Sequence, residues 1–93
     1  MERVLWYLIA GSRGGVNRAR ILKLLAERPC NAHEIAKKLD LDYKTVTHHL
    51  GLLTKHELVT NPVEDAYGSP YFLSNWMEHH LPLLERILEE EWE

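Results

Sequence analysis

The chain has 93 residues, a formal charge of −3 and one cysteine. This length predicts one domain with a modest core, for which association with a second copy would add useful burial. A single cysteine excludes an intramolecular disulfide and a cysteine-rich zinc site, and it fits a reducing, cytoplasmic location. No apolar run approaches the length of a membrane span, so we expect no membrane partner.

The charge is divided unevenly along the chain. Residues 76–93 carry six acidic residues against Arg86, a balance of −5, which leaves the first 75 residues at +2. Because salt screens charges beyond a Debye length of ~10 Å, the local field matters more than the total. The acidic total therefore does not exclude a nucleic acid partner, but it predicts modest non-specific binding.

Residues 1–11 are predicted to form an outer helix with apolar side chains on every face. A helix of this kind is buried, and in so small a domain the simplest cover is a partner subunit. The expected dimer contacts from this helix are Val4, Leu5, Trp6 and Leu8. Residues 11–15 then form a flexible turn; the alternative, a phosphate-binding loop, lacks a following Lys-Ser/Thr pair.

A scaffold helix is predicted over residues 17–28. Asn17 is its expected N-cap, and Val16 and Ile21 are placed to form a hydrophobic staple. The basic side chains of this helix are expected to stay outside: Arg18, Arg20, Lys23 and Arg28. Pro29 ends the helix.

Residues 31–56 read as two helices joined by a short turn. Asn31 and Glu34 have the spacing of a capping box at the start of the first helix. Asp42 is a good N-cap for the second helix. On the second helix one stripe is apolar (Val46, Leu50, Leu53) and the opposite stripe is polar (Lys44, His48, Gly51, Lys55). This pattern predicts a helix-turn-helix, with an ordinary helical hairpin as the alternative.

Two short runs with strand character follow within residues 58–73 and predict a hairpin, the wing of a winged helix. Its tip carries Glu64 and Asp65, where a wing that follows DNA would gain from basic residues. Either the wing avoids the phosphates, or Tyr67 and Ser69 make neutral contacts beside them.

The last helix is predicted over residues 75–92, beginning at Asn75 with Glu78 in the capping-box position and kinked by Pro82 near His79. Its apolar side is broad enough to predict contact with another chain, although packing on its own core would bury the same stripe. The expected dimer contacts here are Trp76, Leu84, Leu88 and Trp92. The predicted fold is thus mainly α (α+β): a winged helix-turn-helix with a two-stranded wing and flanking dimerisation helices.

The second helix of the helix-turn-helix resembles the recognition helix of ArsR-type winged-helix repressors, particularly the archaeal members. The residues that carry the resemblance are Thr45, Val46, Thr47, His48, His49, Leu50 and Leu53, and the wing end Tyr67, Gly68, Tyr71, Phe72 and Leu73 is also similar to that family. The resemblance implies a homodimeric repressor that reads an inverted repeat, with its two recognition helices entering successive major grooves at half-sites ~34 Å apart.

The resemblance also implies which residues contact double-stranded DNA. Tyr43, Lys44, Thr47 and His48 would face bases and nearby phosphates, and Thr45 and Lys55 complete the set on the same helix. Asn31 and His33 would meet the DNA backbone at the start of the preceding helix, where the helix dipole favours an anion. The alternative function is a winged-helix module that binds another protein.

The sequence departs from metal-sensing members of that family, which carry a cysteine pair. Only Cys30 is present, so we expect no metal and no cofactor, and the small-molecule effector is left open. Cys30 is either a redox-sensitive thiol or, as we expect, a buried staple residue. His79 and His80 are adjacent, and His80 with a carboxylate of a partner chain allows a metal site across a dimer, with a solvated helix face as the preferred interpretation. No nucleophile has a base and an oxyanion donor at a recognisable spacing, so no enzyme is predicted.

Overall fold

The computed structural model describes residues 1–63 and 67–92. Its elements in chain order are α1 (Glu2–Ile9), α2 (Gly15–Glu27), α3 (Ala32–Leu39), α4 (Tyr43–Lys55), β1 (Val59–Thr60), β2 (Phe72–Leu73), α5 (Asn75–His79) and α6 (Leu81–Trp92). The two strands are antiparallel, with Val59 opposite Leu73 and Thr60 opposite Phe72. This order and pairing confirm the predicted winged helix-turn-helix.

The helix-turn-helix is defined by local hydrogen bonds. The backbone N–H of Glu34 donates to Asn31 Oδ1 and the N–H of Asn31 donates to Glu34 Oε1, each at 2.8 Å, so the predicted capping box forms. Asp40 ends α3 in the left-handed conformation, with φ 56°. Asp42 Oδ2 then accepts from the N–H groups of Lys44 and Thr45 at 3.0 and 3.3 Å and starts α4.

The wing is fixed to the residue that precedes α3. The N–H of Tyr71 donates to the carbonyl of Cys30 at 2.8 Å, and the N–H of Cys30 donates back at 3.4 Å. At the wing's far end the Asn61 amide donates to Ser69 Oγ and to the Pro70 carbonyl, both at 2.9 Å. These bonds hold the wing beside α3 and α4. The predicted tip residues Glu64 and Asp65 lie outside the described residues.

The start of α2 differs from the prediction. The helix begins at Gly15, with Gly14 as N-cap at φ 90°, so Asn17 lies inside the helix and is not its cap. The predicted staple is also wrong, because Val16 is 54% exposed. The reason is steric: a Cβ on Gly15 would lie 1.7 Å from the Ile9 carbonyl oxygen. Only glycine lets α2 start in contact with the end of α1.

The outer helix is covered within its own chain to a greater extent than predicted. Leu5 and Leu8 lie in the core because α1 packs against both α2 and α6, and Leu84 of α6 is fully buried in the same core. These three side chains are therefore corrected from predicted dimer contacts to core residues. The half-buried members of the predicted set keep exposed surface: Val4, Trp6, Trp76 and Leu88. The side chain of Trp92 lies outside the described residues.

The C-terminal segment forms two helices where one kinked helix was predicted. Ser74, and not Asn75, caps α5, because its Oγ accepts from the N–H of Met77 at 3.1 Å. α5 ends at His79, and Pro82 lies in the first turn of α6, where its missing N–H costs no helical hydrogen bond. None of the helices in the described ranges is long and apolar enough to cross a membrane.

The contact between Gly15 and Ile9 predicts a strong sensitivity to one methyl group. Gly15→Ala should destabilise the protein by about 3 kcal/mol or more, because backbone cannot move aside as a flexible side chain does. Urea unfolding followed by circular dichroism measures this loss. Lys23→Ala, on the exposed side of the same helix, is the control and should change the unfolding free energy by less than about 0.5 kcal/mol. Equal midpoints for the two variants would contradict the steric explanation.

Candidate nucleic acid interface

The two faces of α4 separate as predicted. Val46, Leu50 and Leu53 are fully buried, whereas the opposite face is exposed to solvent. We call this opposite face the basic stripe and define it as Lys44, His48, Gly51 and Lys55. At 1.5 Å per residue it extends for about 16 Å along the helix. No acidic residue lies in α4, so the basic stripe offers a cationic surface of major-groove length.

The two threonines beside the basic stripe are half-buried. The hydroxyl of Thr47 donates to the carbonyl of Lys44 at 3.0 Å, so its oxygen keeps free lone pairs toward solvent. The backbone N–H of Thr45 is held by the Asp42 cap. Both side chains therefore sit on rigid backbone at the shoulder of the stripe.

Three aromatic rings from separate elements meet at the start of α3 and α4. The rings of His33 and Tyr43 stack with centroids 4.4 Å apart and planes 18° apart. Tyr67 of the wing lies against His33 at 5.2 Å. We call these three residues the aromatic cluster. Beside it is a cavity of about 300 Å³, lined also by Ala32, Asn61, Gly68, Ser69 and Tyr71.

The aromatic cluster combines two predicted contact residues with one that the sequence left ambiguous. Tyr67 is 88% exposed and was predicted only as an alternative neutral contact. Its distance from His33 along the chain is 34 positions, so no helical or strand periodicity could have placed the two rings together. Asn31, at the head of the same surface, has its side chain engaged in the capping box. The cluster thus joins α3, α4 and the wing into one surface with the basic stripe.

Arg18 is buried, contrary to the prediction that it stays outside. Its guanidinium is 2% exposed and makes four hydrogen bonds inside the chain. Nε donates to the Leu8 carbonyl at 2.8 Å, and Nη2 donates to Ser12 Oγ at 2.7 Å and to the Arg13 carbonyl at 2.8 Å. Nη1 lies 3.2 Å from His49 Nδ1. Because α2 starts at Gly15, Arg18 faces the end of α1 and the α1–α2 turn.

The side chain of His49 is a neutral imidazole in its contact with Arg18. Burial lowers the pKa of His49, and the positive charges of Arg18 and His48 lower it further. Nδ1 must therefore act as the acceptor, and the ring proton belongs on Nε2. The Arg18–His49 contact connects the α1–α2 turn directly to α4. With 6% exposure, His49 lies at the edge of the core.

Three further residues are candidates for redox or metal chemistry: Cys30, His79 and His80. Each is buried or is held by contacts within the chain. The Cys30 thiol is 1% exposed, and burial raises its pKa, which disfavours the thiolate needed for redox or metal chemistry. His79 Nδ1 and His80 Nδ1 each lie 2.7 Å from a backbone carbonyl four residues earlier. His80 also stacks on Trp76 at 3.9 Å. Within residues 1–63 and 67–92, no three His, Cys, Asp or Glu side chains are grouped to hold a metal ion.

Comparison with known proteins places this surface in context. A family model described as the bacterial regulatory protein, arsR family, matches residues 15–61, from the start of α2 through β1. No curated protein matches the sequence.

Solved structures of similar fold include variants of ZitR and the repressor AdcR. A double mutant of Lactococcus lactis ZitR is 25% identical with a TM-score of 0.65, covering 80% of this chain and 52% of that one. A single mutant of ZitR is 28% identical with a TM-score of 0.60, covering 74% and 47%. The adhesin competence repressor AdcR of Streptococcus pyogenes shares the fold at 23% identity and a TM-score of 0.58, covering 78% and 64%. The chain spans about half the length of the ZitR structures.

The neutral state of His49 predicts how stability depends on pH. Since its pKa is lower in the folded protein, the unfolded chain binds more protons below about pH 6.5, the ordinary value for histidine. The stabilisation is complete above that pH and is lost as the pH falls toward the folded pKa. Urea unfolding at pH 7.5 and 5.5 should show this loss, and His49→Asn, whose amide oxygen replaces the Nδ1 acceptor, should reduce it. His79→Asn, at an exposed position, is the control and should keep the parent's pH dependence. If His49→Asn also keeps the parent's pH dependence, the assignment of His49 as a neutral acceptor is wrong.

Proposed function

The chain belongs to the arsR family of bacterial regulatory proteins, and on this premise we propose that it is a transcriptional regulator that binds double-stranded DNA through α4. The observation that carries the proposal is the basic stripe, exposed along a helix whose other face is fully buried. A recognition helix of this kind enters the major groove while the preceding helix crosses the backbone. α3 and α4 are packed together and capped, so the stripe is presented on a rigid frame.

We assign separate roles to the two parts of this surface. Lys44, Thr45, Thr47 and His48, in the first half of α4, face the base edges, since helix-turn-helix proteins read bases with the N-terminal part of the recognition helix. Lys and Thr side chains match acceptors presented in the major groove.

The aromatic cluster and Asn31 are assigned to the DNA backbone. They lie where the positive end of the α3 dipole favours an anion, and tyrosine, histidine and asparagine are common donors to phosphate. His33 and Tyr43 support each other by stacking, which reduces the side-chain freedom lost on binding. These contacts set the register of the protein on the duplex but carry no base preference.

Binding to an inverted repeat requires two copies, and we propose that the outer helices α1 and α6 form the dimer. The half-buried Val4, Trp6, Trp76 and Leu88 supply apolar surface. Tyr7, which is 61% exposed on α1, adds to it. Helix-turn-helix dimers read half-sites about one turn of DNA, ~34 Å, apart. A dimer therefore contacts a longer DNA site, and selects it more strongly, than one subunit would.

The proposal predicts that a charge reversal in the basic stripe abolishes selective binding. The parent protein should enrich an inverted repeat from pooled random duplexes at moderate salt, and Lys44→Glu should weaken binding to that repeat by at least tenfold. The salt dependence of binding should also fall, because one phosphate or base contact is lost. Competition binding at several salt concentrations measures both effects.

The matched control for Lys44→Glu is Lys23→Glu, the same charge change at a side chain that is 53% exposed on α2 and 3.5 Å from Glu85. This variant should bind the repeat within about twofold of the parent, since Lys23 lies outside the proposed interface. If Lys44→Glu binds as well as Lys23→Glu, the assignment of α4 is wrong. If the parent itself enriches no repeat, the DNA-binding proposal fails.

The proposed dimer predicts twice the 10.9 kDa chain mass in solution. Leu88→Lys, on α6, should shift sedimentation equilibrium toward the monomer, because a charge would then be buried between apolar surfaces. Circular dichroism of the variant should retain the helical signal of the parent. Glu89→Lys, at the neighbouring exposed position, is the control and should stay dimeric. A parent that is monomeric at concentrations where it occupies the repeat would contradict the dimer.

A further inference from the structure

A second cavity, of about 330 Å³, lies between the C-terminal half of α4 and the wing. We call it the α4–wing groove and define it by its lining residues: Thr47, Leu50, Gly51, Thr54, Lys55, Asn61 and Tyr71. Thr47 already has an assigned base contact, whereas Gly51 and Thr54 have no assigned contact with DNA. Each of these two is also a poor choice for the stability of the helix, and that shared feature calls for an explanation.

Gly51 lies in the middle of a 13-residue helix with ordinary right-handed backbone. Glycine is unfavourable at such a position relative to alanine, because it loses the most backbone freedom on folding. No described residue gives a steric reason for it, since an added Cβ would meet nothing within 4 Å in the described ranges. Gly15, by contrast, is enforced by a backbone contact. The α4 backbone at Gly51 is therefore open to the close approach of another molecule.

Thr54 borders the same groove three residues later. Its hydroxyl is buried and has no hydrogen-bond partner in the described part of the chain. A buried hydroxyl without a partner costs stability, and valine would fill the same volume without that cost. In a helix threonine populates two side-chain rotamers, so a rotation about Cα–Cβ moves the hydroxyl to a second position. The hydroxyl can thus become available when a partner arrives.

The groove has a cation at one end and a fixed wall on the other side. The exposed Lys55 lies in the last turn of α4. The Asn61 amide is held by Ser69 and Pro70, so the wing wall keeps its position. Since the first half of a recognition helix meets the bases, its second half and the wing lie toward the side of the major groove, which is formed by sugar and phosphate.

We propose that the α4–wing groove receives the sugar–phosphate backbone of one DNA strand. Gly51 admits a deoxyribose against the α4 backbone, the Thr54 hydroxyl donates to a phosphate oxygen, and the Lys55 ammonium pairs with that phosphate. This inference deepens the proposed function and rests on it. It makes Gly51 and Thr54 positioning residues for DNA, retained although alanine and valine would suit the isolated fold better.

The test uses Gly51→Ala and Thr54→Val in the full chain, with a duplex selected by the parent protein. Both variants should melt at the parent's temperature or above it, and each should bind the duplex at least tenfold more weakly. Because neither changes a charge, the salt dependence of binding should be unchanged, whereas Lys55→Gln should reduce its slope by about one. Reduced affinity with retained stability is a result that a purely structural role would not give.

The reverse substitution on another helix provides the control. Ala26→Gly, at an exposed position in α2, should lower the melting temperature and leave DNA affinity unchanged. If the parent binds the duplex and Gly51→Ala and Thr54→Val bind it equally well, the groove proposal is overturned while the proposed function stands. Weaker binding accompanied by a lower melting temperature would also overturn it, because these residues would then serve the fold. A parent that selects no duplex overturns the proposed function and this inference together.

Discussion

The position of the recognition helix depends on one buried cation, the guanidinium of Arg18. Three of its hydrogen bonds go to the end of α1 and the following turn, and the fourth reaches His49 of α4. A buried charge without a carboxylate is tolerated only when hydrogen bonds replace its hydration, and here four acceptors converge on it. Movement of α1 would break several of these bonds at once. The end of α1 and helix α4 are therefore mechanically connected.

The close approach of α1 and α2 is the steric condition for that network. Gly15 permits the contact with the Ile9 carbonyl, and Gly14 leaves room for the imidazole of His49 beside Arg18. A Cβ on Gly14 would lie 2.7 Å from the His49 ring and 3.0 Å from Arg18 Nη1. The glycines that looked like a flexible turn in the sequence are thus required by packing. They allow the end of α1, the Arg18 guanidinium and the His49 imidazole to pack against one another.

Local signals in the sequence were sufficient for the helix-turn-helix, but contacts distant in the chain were not predictable. The Asn31 and Asp42 caps and the two faces of α4 depend on neighbouring residues and on helical periodicity, and the structure has them as predicted. The buried position of Arg18 depends on groups up to 31 positions away, so its charge alone predicted the surface. The same limit applies to the candidate site, where the basic stripe was predictable and the aromatic cluster was not.

The distribution of charge favours one orientation of the protein on DNA in the proposed complex. The basic stripe lies on α4, whereas the exposed acidic side chains of α5 and α6 lie at the other end of the chain: Glu78, Glu85, Glu89, Glu90 and Glu91. Repulsion between these carboxylates and phosphates disfavours any approach to DNA that presents α6 first. In the proposed complex this repulsion favours the orientation in which α4, the aromatic cluster and the α4–wing groove meet the duplex together. A net negative charge and the proposed DNA-binding role are compatible in this chain because α4 carries no acidic residue, whereas α6 carries four glutamates against one arginine.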